Sequence, residues 1–303
     1  MGEEMDRVEG CSAIVRAWAA RGKLIRLNRK QIFVVDVPSA DPSSTREPLL
    51  ILHGFPTSSF DFAGIVDALA ADRRVVLADF LGFGISDKPD THYTIDMQAD
   101  MIVALTHELG IDRLALLTHD MGDTIGGELL ARHAEGEWAV QITRRILTNG
   151  SIYINQAHLT DGQQFLLDLP DAAFANGPGP APEAIAATLL ATLSRNTYLT
   201  TELLHPHGEL VSLRDGGRML PRTIRYIEER RRNERRFTGA IEDHVSPLAV
   251  IWGVDDPIAG TSMCDTLAAA RSDTTFTMLD RVGHYPMLED TVRFVEAVRT
   301  ILQ

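Results

Sequence analysis

Apolar positions along this chain fall into two rhythms. In the first half, short apolar runs alternate with stretches of helical period. Residues 24–27 and 31–37 read as two antiparallel strands joined by a turn near Asn28. Residues 49–52, 74–78, 114–117 and 145–148 read as four more strands, apolar throughout or nearly so. Runs of that kind suit strands covered on both faces. Helical patterning is expected at 11–21, 60–70, 95–109 and from 128 to 132. The Pro- and Ser-rich stretch 38–45 reads as a surface loop. Near the C-terminus the rhythm returns: a strand at 248–252, a helix at 263–270, a strand at 274–279 and a closing amphipathic helix at 291–301. Strands alternating with helices imply an α/β fold, a mostly parallel eight-stranded sheet with helices on both faces.

Between these halves the pattern changes. From 151 to 242 no strand run occurs. Helical segments are expected at 163–169, 182–193, 198–204, 209–214 and 221–236. They are separated by Asn176-Gly177-Pro178-Gly179-Pro180 and by His205-Pro206-His207-Gly208. We read residues 151–242 as a helical cap inserted into a core domain made of 1–150 and 243–303.

Composition narrows the partners. The 303 residues are 45% hydrophobic, enough for a sizeable core, and carry a net charge of -13. That balance argues against nucleic acid or an anionic membrane surface. The run Arg230-Arg231-Arg232-Asn233-Glu234-Arg235-Arg236, with Glu228 and Glu229 beside it, reads as a solvated helix face. The two cysteines, Cys11 and Cys264, have neither CxxC nor metal spacing, so a reducing compartment is expected. The N-terminus carries acidic residues where a secretion signal would be basic. Residues 11–20 are interrupted by Arg16 and too short to span a bilayer. A soluble cytoplasmic protein follows as the expectation, with no cofactor, and with a homodimer left open.

Chemistry concentrates at strand ends. Thr118-His119-Asp120-Met121-Gly122 has the spacing small-x-nucleophile-x-Gly of a sharp strand-to-helix turn, with Asp120 where Ser is usual. Gly253-Val254-Asp255-Asp256-Pro257 and Gly283-His284 follow two later strands. Nucleophile, acid and His come in the chain order of a hydrolytic triad. Asp255 competes with Asp256 for the acid role, and Gly-x-x-Asp spacing favours Asp256. A carboxylate nucleophile suits an sp³ carbon electrophile, forming an alkyl ester of Asp120. Water activated by His284 would then attack the Asp120 carbonyl carbon, with Asp256 holding the imidazole tautomer. The oxyanion of that step needs backbone donors: the N–H of Met121 and the N–H of Phe55 in His53-Gly54-Phe55-Pro56. No His/Cys/Asp cluster has metal spacing, and Gly82-Phe83-Gly84 is too short for a dinucleotide fingerprint.

Together His53-Gly54-Phe55-Pro56, Asp79-x-x-Gly82-x-Gly84-x-Ser86-Asp87-x-Pro89, His119-Asp120-x-Gly122, Trp252-Gly253-x-x-Asp256-Pro257 and Gly283-His284 resemble one branch of a superfamily. It is the epoxide hydrolase and haloalkane dehalogenase branch of the α/β-hydrolases. The likeness covers nearly the whole chain except the middle of the cap. Several stretches, among them Thr148-Asn149-Gly150 and His284-Tyr285-Pro286-x-Leu288-Glu289-Asp290, look closer still to mesoderm-specific transcript proteins and their bacterial relatives. The resemblance implies an α/β-hydrolase fold with a cap and an Asp nucleophile.

The electrophile is a separate question. In the dehalogenases a Trp after the nucleophile and often an Asn in the His-Gly-x-Pro loop bind the halide. Here those positions hold Met121 and Phe55, which offer no side-chain donor. That departure moves the expectation to epoxides, opened to vicinal diols, although epoxide hydrolases commonly carry the Trp too. A haloalkane dehalogenase is the rival activity, and a non-catalytic binding protein on the same fold is the rival class. Epoxide opening needs a proton donor from the cap, a tyrosine in that family. Tyr226, on the last cap helix, is the first candidate. Tyr153, at the cap entrance, is the second. Tyr198 and Tyr285 are expected to contact substrate, as is His53. The expected substrate is a small apolar or aryl epoxide together with water, in a pocket lined by Phe55, Met121 and the neighbours of Trp252. His119 is expected to point away from Asp120 and to make a supporting hydrogen bond.

Overall fold

The structure is a computed structural model that describes residues 2–174, 177 and 179–303. The chain begins with helices α1 (Glu3–Arg7) and α2 (Ala13–Ala19) and the hairpin β1 (Lys23–Leu27) and β2 (Lys30–Val37). Then come β3 (Leu49–Leu52), α3 (Val66–Leu69), β4 (Val75–Ala78), α4 (Ile95–Glu108), β5 (Arg113–His119), α5 (Met121–Glu135) and β6 (Gln141–Thr148). Between β6 and the next strand lie α6 (Asp161–Asp168), α7 (Pro182–Leu190), α8 (Thr201–Ser212), α9 (Gly216–Thr223) and α10 (Tyr226–Asp243). The chain ends with β7 (Leu248–Gly253), α11 (Ser262–Ala270), β8 (Thr275–Leu279), α12 (Pro286–Glu289) and α13 (Thr291–Ile301).

The eight strands form one sheet in the order β1-β2-β4-β3-β5-β6-β7-β8. β1 and β2 pair antiparallel, as do β2 and β4. The other five pairings are parallel. All residues of β3, β4 and β7 are buried, which is why those runs carry no polar alternation. The carboxyl ends of β3, β5, β6, β7 and β8 therefore share one edge, where an open parallel sheet places its ligands.

Local chemistry moved several boundaries. The helix expected at 60–70 is a 3-10 turn, Ser59–Phe62, followed by the short α3; Ser58 caps the turn, accepting from Phe60 N–H. His205-Pro206-His207-Gly208 does not break the chain, because α8 runs through it. A side chain on Gly208 would strike the Pro182 carbonyl, so Gly208 serves the close approach of α8 to the start of α7. Of the separator at 176–180, Asn176 and Pro178 lie outside the described residues. The last expected helix, 221–236, is divided: Pro221 ends up inside α9, and α10 runs on to Asp243.

The basic run departs from a solvated face at one residue. Arg230 is 1% exposed. Arg236 pairs with Glu128 at 2.6 Å and with Glu135 at 2.7 Å, and Arg132 pairs with Glu128 at 2.8 Å. The Arg236 contacts tie α10 to α5, while Arg231, Arg232, Asn233, Arg235 and Arg236 are exposed, as expected of a solvated face. Among the described residues no helix is long and apolar enough to cross a membrane.

Candidate active site

The sharp turn between β5 and α5 sets the site. Asp120 has φ 50° and ψ -112°, a conformation costly for a residue with a Cβ and typical of functional turns. It is held because Gly122 sits against the end of β3: a Cβ there would lie 2.5 Å from the Leu52 carbonyl and 2.8 Å from that of His53. The Asp120 side chain is thereby presented at the sheet edge, buried to 1% exposure. Its Oδ2 accepts the Phe55 N–H at 2.9 Å.

The acid and the base meet as well. His284 Nδ1 lies 2.8 Å from Asp256 Oδ2. The second oxygen of Asp256 accepts the N–H groups of Ile258 and Ala259 at 2.7 and 3.1 Å. Asp255 turns away and accepts from Ser194 Oγ at 2.7 Å. Burial alone would lower the His284 pKa. The Asp256 carboxylate, its hydrogen bond and the charge of Asp120 outweigh burial and raise it to about 9.

Two residues not anticipated complete this arrangement. Asn149, at φ 45°, donates to Asp256 Oδ2 at 2.8 Å and accepts the Gly253 N–H at 2.8 Å. It stops Asp256 from rotating away from the imidazole. Glu289 is a buried carboxylate that accepts the N–H of Gly283 at 3.0 Å, of Tyr285 at 3.3 Å and of Ser194 at 2.8 Å. It clamps both sides of His284 and ties that loop to the segment after α7.

The tyrosines divide. Tyr226 opens α10 and is 4% exposed. Its ring lies 5.8 Å from that of Phe55. Burial and then the Asp120 charge raise its phenol well above the ordinary value, and the Arg230 charge opposes them. Tyr285 also reaches the site, with its hydroxyl 3.4 Å from the Phe55 carbonyl. Tyr153 and Tyr198 are not brought there. The Tyr153 hydroxyl donates to Glu242 at 2.9 Å, at the far end of α10. Tyr198 is 65% exposed and donates to the Leu288 carbonyl at 3.1 Å.

His53 is likewise committed elsewhere. Its Nε2 accepts the Phe80 N–H at 3.0 Å, so Nδ1 carries the hydrogen and donates to the Gly54 carbonyl at 2.8 Å. It fixes the Gly54-Phe55 loop rather than touching a ligand. Asp79 does related work, accepting from Ser59 N–H at 2.9 Å and Ile85 N–H at 2.7 Å. His119 bonds the Thr148 carbonyl at 3.1 Å through Nδ1, and burial with the His284 charge lowers its pKa to about 4. It is a neutral neighbour stacked beside His284, their ring centroids 5.0 Å apart.

A cavity of about 160 Å³ opens from His284, Tyr285 and Phe55 toward α6 and α7. Leu166, Ile185, Leu189, Leu220 and Ile258 make it apolar. Of the expected lining, Phe55 is present and Met121, buried at 2% exposure, is not. Among the described residues no group of three or more His, Cys, Asp and Glu could hold a metal ion.

A family model described as the alpha/beta hydrolase fold matches residues 47–291, and the chain belongs to that family. Its relatives narrow the neighbourhood. It is 32% identical over 294 residues to "Putative hydrolase LipZ" of Mycobacterium tuberculosis, covering 96% of this chain and 99% of that one. It is 31% identical over 301 residues to the mesoderm-specific transcript protein of Mus musculus, covering 94% of this chain and 87% of that one. An alpha/beta hydrolase fold protein from Burkholderia ambifaria superposes with a TM-score of 0.73 at 22% identity, covering 91% and 96%. An epoxide hydrolase, CorEH, superposes with a TM-score of 0.71 at 17% identity, covering 92% and 97%. At those identities the two structures speak for the fold alone.

Proposed function

We propose that this chain is an epoxide hydrolase that forms an alkyl ester on Asp120 and releases a vicinal diol. In this reading residues 151–242 act as a cap over the sheet edge. One observation carries it: a carboxylate at the sharp turn, not a hydroxyl, accepts the Phe55 N–H next to the His284–Asp256 pair, with the Tyr226 ring 5.8 Å from that of Phe55.

In the first step an Asp120 oxygen attacks an epoxide carbon, and the C–O bond of the ring breaks. The Tyr226 phenol gives its proton to the departing oxygen and is left as phenolate. Esterification removes the Asp120 charge, one of the influences that raise His284. The imidazole pKa falls, His284 releases its proton to solvent, and the neutral ring becomes a base for the attacking water; it regains a proton from solvent when the Asp120 charge returns. Water then attacks the Asp120 carbonyl carbon, with the oxyanion stabilised by the N–H of Phe55 and of Met121. The ester C–O bond breaks. Of the two protons of the water, one ends on the diol and the other returns to Tyr226.

The cavity supports an apolar or aryl substituent. Its about 160 Å³ matches an engineered cavity of about 150 Å³ that admits benzene. Halide release is disfavoured, since a leaving halide needs side-chain N–H donors. The positions that hold such donors in the dehalogenases carry Met121 and Phe55 here, which have no side-chain N–H.

The test is a single turnover of a styrene-oxide-type substrate in heavy-oxygen water, followed by mass spectrometry of the peptide holding Asp120. Label is expected in the Asp120 carboxylate. Label in the diol with none in Asp120 overturns the covalent route, and chloride release from a haloalkane in place of epoxide turnover would reassign the substrate.

A further inference from the structure

The least expected charge in the molecule is Arg230. It follows Tyr226 by one helical turn, so both project from the same face of α10. Its guanidinium is 1% exposed. No carboxylate among the described residues lies within ion-pair distance of it. Instead Nε donates to Thr124 Oγ1 at 2.7 Å, and Nη1 to the Ser151 carbonyl at 2.9 Å. Nη2 reaches the same Thr124 hydroxyl and lies 3.5 Å from the Asp120 carbonyl. The carbon of the guanidinium sits 5.1 Å from the centre of the Tyr226 ring. A buried charge held only by neutral oxygens costs several kcal/mol, so a fold that keeps one is expected to use it.

Building on the epoxide-opening reading of Tyr226, we infer that Arg230 is a positioning residue for that tyrosine. It fixes the ring over the elbow and stabilises the phenolate that forms when the phenol proton moves to the opening ring. The groups facing this phenol are few. Asp120 approaches from the turn before α5, Tyr285 from the loop before α12, and Arg230 from the same helix. Behind Arg230 lies Asp123 of α5, itself buried and hydrogen-bonded to Thr118, with His284 also within electrostatic reach of it. Burial and Asp120 disfavour a phenolate; Arg230 opposes them. During ring opening the Asp120 charge is consumed as the phenolate charge appears, so the cation meets an anion when the proton leaves.

The experiment compares wild type, Arg230→Met and Arg230→Lys. Rapid-quench single turnovers separate formation of the Asp120 ester from its hydrolysis. A fluorinated tyrosine at position 226, whose phenol ionises within the stable pH range, reports the phenol directly by ultraviolet absorbance. Arg230→Met is expected to slow ester formation by about tenfold to a hundredfold, the scale of a desolvated cation–π contact. Ester hydrolysis should be spared and the phenol should titrate at higher pH. Arg230→Lys, which keeps the charge, should recover most of the rate. Equal slowing of both steps with an unmoved phenol titration would make Arg230 a mere brace and overturn the inference. So would a wild-type rate of ester formation in Arg230→Met. If wild type forms no ester with epoxides, the reading of the site falls, and the phenol titration still decides whether Arg230 governs Tyr226.

Discussion

Replacing Asp256 by Asn changes one atom of the site and should remove two effects at once. In wild type His284 stands at about 9 against an ordinary 6.5, raised chiefly by Asp256. A folded-state pKa raised above the unfolded one means that folding favours the protonated ring. The stability so gained is fully present below about pH 6.5 and is lost as pH rises through about 9. The gap corresponds to about 3 kcal/mol, large beside a typical net stability of about 5–15 kcal/mol. Asp256→Asn leaves the ring buried but takes away the charge and the hydrogen bond acceptance at Nδ1–H. The downward slope of stability between those pH values should therefore nearly vanish. Urea unfolding of both proteins across that window measures it. The same substitution lets the imidazole take the wrong tautomer, and loss of an orienting Asp elsewhere costs about 10⁴ in turnover. Here the loss should fall on ester hydrolysis, so the Asp120 ester accumulates in a burst equal to the enzyme present. Identical stability slopes in the two proteins would refute the charge argument, and hydrolysis at the wild-type rate would refute the role of His284 as base.

Tyr226→Phe should slow ester formation by about 10²–10⁴, the usual range for one general acid, and leave ester hydrolysis nearly unchanged in rapid-quench traces. Gly122→Ala places a methyl 2.5 Å from the Leu52 carbonyl. Because backbone cannot move aside cheaply, a loss of about 1–3 kcal/mol or more is expected in thermal unfolding. Tyr153→Phe removes only the 2.9 Å bond to Glu242 and should cost about 1 kcal/mol of stability with turnover unchanged; a large loss of turnover would return Tyr153 to the site.

The sheet was legible because β3, β4 and β7 are apolar at every position, and no amphipathic helix mimics that. Asp120, Asp256 and His284 were legible because each lies just past a strand that ends on the same edge. What escaped was whatever depends on azimuth or on a neighbour far along the chain. Tyr153 and Tyr198 lie in irregular segments beside helices, where no period says which way a side chain faces. Arg230 looked solvated because its sequence neighbours are charged, yet α10 lies along α5 and turns that one residue inward. Asn149 left only a faint trace, an Asn after a strand, where Asn is among the few side-chain residues that tolerate a left-handed φ. Glu289 stands in the stretch His284-Tyr285-Pro286-x-Leu288-Glu289-Asp290, but its role was hidden, since its three backbone donors come from Gly283, Tyr285 and the distant Ser194.

The charge of Asp120 links the two halves of the proposed reaction. While Asp120 is anionic it raises both His284 and Tyr226. The imidazole is then held protonated and cannot act as a base, and the phenol is held protonated and ready to donate. The free enzyme is thus set for ring opening and against premature activation of water. Ester formation cancels that charge. The imidazole becomes easier to deprotonate and the phenolate easier to sustain, with Asp256 and Arg230 left as their respective partners. A serine at position 120 would carry no such charge and would leave the His284 pKa to burial, Asp256 and Glu289. That difference predicts opposite pH behaviour in the two half-reactions. Ester hydrolysis should rise with pH through a value below the about 9 of free His284. Ester formation should hold steady there and fall only where the phenol begins to ionise. A single shared pKa for both steps would break the link and leave Asp120 as a nucleophile without electrostatic control over its neighbours.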